Sequence, residues 1–128
     1  MLEEVKDRLK TFGITTMIED SFLLNFINDK VTNHIKTQTN LNEIPIPLHL
    51  IAVDMAVGEF LLMKKSMGQL VIEDLDFGLV AKSVQDGDTT VTYAIDDNNI
   101  TPEARFDAFI NYLKHEGFDY IAYRVIKW

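Results

Sequence analysis

Leu48-His-Leu-Ile-Ala-Val-Asp-Met-Ala-Val-Gly-Glu-Phe-Leu-Leu-Met-Lys-Lys65 is the stretch on which the reading of the chain turns. Pro47 stands just before it, at a position where a helix start tolerates the missing N–H. Lys64 and Lys65 lie where positive charge favours a helix C-terminus. Leu48, Ile51, Met55 and Leu62 form one apolar set, and Leu50, Val53, Val57, Phe60 and Leu61 form another on a different face. A helix apolar nearly all round belongs inside a protein, with the other elements wrapped about it. Asp54 and Glu59 interrupt it too strongly for a membrane span of about 20 apolar residues, so no membrane is expected. Each carboxylate would be costly to bury alone. Asp54 and Glu59 are therefore expected as buried polar residues with partners: Arg124, Lys127, backbone N–H groups or another chain.

Upstream, Leu2, Val5 and Leu9 recur at helical spacing, with Glu3 and Glu4 in the first turn and Gly13 as a stop. A second helix begins at Asp20 or Ser21, either of which can cap it. Its apolar stripe reads Phe22, Leu23, Phe26, Ile27, Val31 and Ile35, opposite Asn25, Asp29, Thr32 and Lys36. Pro45 and Pro47 force an extended approach to the central helix. Short connections make these three helices antiparallel neighbours in turn.

Downstream, Val80, Lys82 and Val84, then Val91, Tyr93 and Ile95, alternate with period two around Asp86-Gly87. Asp-Gly is the favoured centre of a type I′ turn, so a β-hairpin is predicted over about 79–95. Thr101-Pro102 starts a further helix with Phe106, Phe109, Ile110 and Leu113 on its inner face and Gly117 as its end. Residues 118–128 are aromatic and mildly basic. If extended, they place Tyr120, Arg124, Ile126 and Trp128 on one side and Ile121, Tyr123, Val125 and Lys127 on the other, which suits a contact segment covered on both faces.

The 128 residues fit one domain, 1–128, with 47% hydrophobic content and a net charge of −8. That charge argues against a surface that grips nucleic acid. The absence of cysteine excludes a disulfide scaffold and thiolate chemistry and fits a reducing cytoplasm. No signal-peptide pattern opens the chain. His34, His49 and His115 lack metal-ligand spacing, and Asp74-Leu-Asp76 and Asp86-Gly-Asp88 lack the further ligands of a calcium loop. No phosphate loop or nucleophile–base grouping is present, so neither catalysis nor a cofactor is expected. The fold expected is mainly α: about four helices, a β-hairpin insertion and an extended C-terminal segment.

Ala52-Val-Asp-Met-Ala-Val-Gly-Glu-Phe-Leu61, Val80-Ala-Lys-Ser-Val-Gln-Asp-Gly-Asp-Thr-Thr-Val-Thr92, Arg105-Phe-Asp-Ala-Phe-Ile-Asn-Tyr-Leu113 and Tyr123-Arg-Val-Ile-Lys-Trp128, in that order, resemble the head–tail connector (adaptor, or head completion) proteins of long-tailed bacteriophages and prophages. The resemblance spans nearly the whole chain. It implies a structural virion protein without enzymatic activity, assembled in the bacterial host cytoplasm. In the virion it would form a ring with copies of itself, usually dodecameric, between the portal and a tail-side completion or stopper protein. DNA would pass through the ring without sequence-specific binding, and an acidic subunit suits such a channel. Only regions carry over: the C-terminal segment as a portal-docking candidate, where Tyr120, Tyr123, Arg124, Ile126 and Trp128 are the candidate partner contacts, and the hairpin as an intersubunit or tail-side contact, where Lys82, Asp86, Gly87 and Tyr93 are the candidates. The rival expectation is a small monomeric soluble binding or regulatory protein with no catalysis.

Overall fold

The helix that begins at Ile46 and ends at Ser66 is packed against by every other long helix. The computed structural model describes residues 2–14, 16, 18–72, 75–83, 94–95, 97, 99–114, 120 and 123. Among them are five α-helices: α1 (Leu2–Thr11), α2 (Ser21–Thr39), α3 (Ile46–Ser66), α4 (Phe77–Ser83) and α5 (Pro102–Lys114). A single 3₁₀ turn, Ile18–Asp20, leads into α2. The protein is mainly α, and no strand occurs among the described residues.

Side-chain pairs give the helix directions. Glu4 meets His49 and Arg8 meets Asp54, so α1 runs the same way as α3. Asp20 meets Lys64 and Lys30 meets Glu59, so α2 runs oppositely. Lys65 lies 5.1 Å from the Phe106 ring centroid and Lys114 lies 3.3 Å from Glu59, so α5 also opposes α3. Successive helices α1, α2 and α3 thus alternate in direction, as their short connections imply. One cluster joins them, with Leu48, Ala52, Val57, Phe60 and Leu61 of α3 buried against Leu9, Ile35, Phe106 and Phe109.

Both glycine stops form the same C-terminal motif. The N–H of Gly13 donates to Lys10 and that of Ile14 to Leu9, while Gly68 donates to Lys65 and Gln69 to Lys64. Gly13 at φ +78° and Gly68 at φ +70° occupy the left-handed region this motif requires. Thr101 caps α5 by accepting the N–H of Ala104 at 3.3 Å.

Four expectations need correction. The hairpin does not hold over its ends: Leu79–Ser83, including Lys82, belong to α4, and Ala94–Ile95 are helical. Asp76 caps α4 by accepting the Leu79 N–H at 3.0 Å, and Phe77, Val80 and Ala81 then bury one helical face. That spacing outweighs the alternation of Val80 and Lys82. Asp86, Gly87 and Tyr93 lie outside the described residues. Secondly, α2 buries Leu24, Ile27, Val31 and Ile35, leaving Phe22 and Phe26 outside. Two residues along a helix is about 200°, so Phe22 and Phe26 lie nearly opposite Leu24. Thirdly, α3 is not covered all round, since Ile46 and Leu50 in its first turns face outward. Lastly, the Tyr123 N–H donates to the Tyr120 carbonyl at 2.9 Å, an i→i+3 bond that an extended segment does not make. Most of 118–128 lies outside the described residues.

Gly58 sets how closely α3 and α5 approach. A Cβ there would stand 3.1 Å from both Leu113 Cβ and Lys114 Cγ. Gly58→Leu is expected to lower stability by about 1–3 kcal/mol through overpacking, despite the better helix propensity of leucine. Urea unfolding measures it, and a variant as stable as the parent would show that the two helices do not touch there.

Candidate functional site

Both carboxylates on α3 are engaged by neighbouring helices. Arg8 Nε donates to Asp54 Oδ1 at 3.1 Å, from α1. Glu59 takes Lys30 of α2 on Oε2 at 3.1 Å and Lys114 of α5 on Oε1 at 3.3 Å. Both carboxylates are partly buried, at the margin of the core rather than in it. These partners come from within the chain, from α1, α2 and α5, while Arg124 and Lys127, to which the sequence pointed, lie outside the described residues.

A third pair was not foreseen. Asp20 is only 6% exposed and accepts from Lys64 Nζ at 2.8 Å. Lys64 also donates to Gln69 Oε1 at 2.7 Å and lies 5.9 Å from the Phe60 ring centroid. Asp20 stands at the N-cap of α2 but makes no side-chain capping bond. Cap preference and salt-bridge geometry place the same residue type at the same position, so sequence alone does not separate them.

These pairs hold three helices on α3 and leave two surfaces uncovered. The first is a ridge, with Ile18 93%, Phe22 84% and Phe26 52% exposed at intervals of four residues. Met67 and Val71, also exposed, follow the C-terminal end of α3. The second surrounds Ile46 and Leu50, 89% and 75% exposed, at the other end of α3. Leu50 and Met67 are 17 residues apart, or about 25 Å along the axis. Beside Leu50 opens a groove of about 440 Å³ between Glu4, Asp7, Arg8 and Thr11 of α1, Val53 and Asp54 of α3, and Tyr112 of α5.

Of the contact residues expected at the C-terminus, Tyr120 and Tyr123 are partly buried against the chain's own core. The Tyr120 hydroxyl reaches Met55 Sδ at 3.6 Å and its ring meets His34 edge-on at 6.1 Å. Burial pushes the Tyr120 phenol above its usual range. Arg124, Ile126 and Trp128 lie outside the described residues. Lys82 is exposed on α4. The exposed ridge was missed because phenylalanines were read as core; tracing Leu24, Ile27, Val31 and Ile35 as one line would have set them apart.

α3 is the one helix among the described residues long and apolar enough to cross a membrane by length and composition. Here its two carboxylates are paired, and α1, α2 and α5 cover it except where Ile46 and Leu50 face outward. No three His, Asp or Glu side chains among the described residues are grouped to hold a metal ion. No protein-family model, curated protein or solved structure matches the chain.

Two predictions follow from the pairs on α3. Asp20→Ala should cost about 3 kcal/mol in urea unfolding, since it removes the carboxylate that neutralises the partly buried Lys64 and leaves it only Gln69, and the Asp20→Ala/Lys64→Met double variant should recover part of the loss. Purely additive losses would mean that the two residues do not interact.

Glu59 adds a pH dependence. Burial raises its pKa, but the hydrogen bond from Lys30 and the charges of Lys114 and Lys30 outweigh it, leaving the carboxyl below its usual 4.5. A lowered folded-state pKa stabilises above the unfolded value and is lost as pH falls through the folded one. Glu59→Gln should therefore cost about 1–2 kcal/mol at pH 7, between the values for exposed and buried pairs. The gap to the parent should shrink below pH 4.5. A gap independent of pH would contradict the pairing.

Proposed function

We propose that this chain is a structural, non-catalytic subunit of a connector ring that joins the portal of a DNA-filled phage head to the tail. The observation that carries the reading is the exposed ridge of Ile18, Phe22 and Phe26. Isolated exposed apolar residues need no explanation, but two on one face of α2 with a third on the 3₁₀ turn just before it suit a surface that another protein covers. A second apolar surface, at Ile46 and Leu50, lies at the N-terminal end of α3, away from the Asp20–Lys64 end that the ridge adjoins. Two separate surfaces are what a subunit needs to contact different neighbours, and rings arise from contacts between non-identical patches.

The resemblance to connector proteins supplies the identity of those neighbours: further copies of the chain, the portal and a tail-side completion protein. It rests on the quoted sequence segments. The net charge of −8 suits a subunit around a passage for DNA, because phosphates are repelled rather than held. In this reading the protein works in the virion, after assembly in the host cytoplasm. Lys82 on α4 and the residues beyond Tyr123 remain candidates for the portal and tail contacts.

Mass measured by light scattering, with and without portal rings from the phage or prophage that encodes the chain, tests this. The single chain is 14.7 kDa. The expected result is a multimer, at the latest once portal is added, and its loss in Phe22→Glu with helical circular dichroism unchanged. A single-chain mass under both conditions would overturn the reading and favour a monomeric binding or regulatory protein.

A further inference from the structure

We infer that the groove between α1, α3 and α5 is a docking site for a cationic, apolar-flanked segment of a partner protein, centred on Asp7 and Leu50. The groove holds about 440 Å³ and is open to the exterior beside Leu50. Its walls combine two chemistries. Val53 and the exposed Leu50 supply apolar surface, extended one turn back along α3 by Ile46. Glu4, Asp7 and Asp54 supply negative charge, Glu4 being paired with His49, and Arg8 is the one cation lining the groove among the described residues.

Arg8 is committed to Asp54 at 3.1 Å and also lies over the Phe12 ring, 4.7 Å from its centroid. Asp7, by contrast, makes no ion pair among the described residues and is exposed. An incoming guanidinium or ammonium therefore meets an available carboxylate without breaking an existing pair. An acidic segment would meet the same carboxylates unfavourably, and a wholly apolar one would leave Asp7 desolvated without a partner. Charge complementarity thus selects the cationic segment, and Leu50 with Ile46 selects apolar neighbours for it. The ridge at Phe22 is flanked by Glu19 and Asp29, so a second copy's ridge is not the occupant. This inference extends the reading of the chain as an assembly subunit, and it can fail while that reading stands.

Fluorescence anisotropy tests it with the full chain and a labelled peptide, Leu-Arg-Val-Arg-Leu, blocked at both ends. The glutamate counterpart, Leu-Glu-Val-Glu-Leu, is the control. The expected result is saturable binding of the arginine peptide only, weakened at least about tenfold by Asp7→Lys and several-fold by Leu50→Ser. Both residues are exposed, so neither change threatens the fold. Asp29→Lys, an equal change of charge on exposed α2, should stay within twofold of the parent. Equal weakening by Asp29→Lys would reveal general attraction to an acidic protein and overturn the site. So would binding of the glutamate peptide, binding indifferent to Leu50→Ser, or no saturable binding. The mass of the chain with portal is read separately, so the two ideas fail by different measurements.

Discussion

Everything in this structure depends on covering one long apolar helix that carries two carboxylates. Burying the apolar length of α3 against other helices is the main favourable term, because such surface is worth about 25 cal/mol per Å² removed from water. The carboxylates limit how that burial is achieved. Asp54 and Glu59 must keep partners, so the helices that cover α3 must also bring cations to it. Arg8, Lys30 and Lys114 come from α1, α2 and α5, one from each covering helix. Packing and charge therefore choose the same neighbours, and each pair restricts the sliding of its helix along α3.

The same constraint explains where the surface is left apolar. Three helices do not cover α3 along its full length, and its first turns emerge at Ile46 and Leu50. Nor does α2, which turns one face inward, hide the phenylalanines on its other face. Selection for a monomer alone would favour polar residues at Phe22 and Phe26, because an isolated chain gains nothing from exposing them. Their presence is what supports the proposed role in assembly. The groove beside Leu50 is concave where the ridge projects, and the two surfaces are suited to different neighbours.

Much of the fold was legible in the sequence. The central helix, the Gly13 stop, the Thr101-Pro102 start and the inner face of Phe106, Phe109, Ile110 and Leu113 all follow from short-range rules of spacing and capping, and the structure has each. The readings that fell short needed long-range knowledge. Val80 and Lys82 fit either period, and α4 wins because Asp76 caps it and Phe77 finds a buried place, with Arg105 stacked 4.4 Å from its ring centroid. Phe22 and Phe26 are apolar, and hydrophobicity alone does not say which side of α2 faces α3. The partners of Asp54 and Glu59 were not legible either, since contacts 46, 29 and 55 residues away depend on how helices are laid together. Asp20 was read as a cap because local rules stop at its own helix.

The central claim is that the Phe22 ridge is covered by a neighbouring subunit in the assembled connector. The chain has no cysteine, so Phe22→Cys introduces a single reactive thiol. Its rate of labelling by a maleimide can be compared between the free single chain and the portal-bound assembly. The account predicts fast labelling in the free chain and labelling at least about tenfold slower in the assembly. Equal rates in the two states would show the ridge uncovered in both and would contradict it.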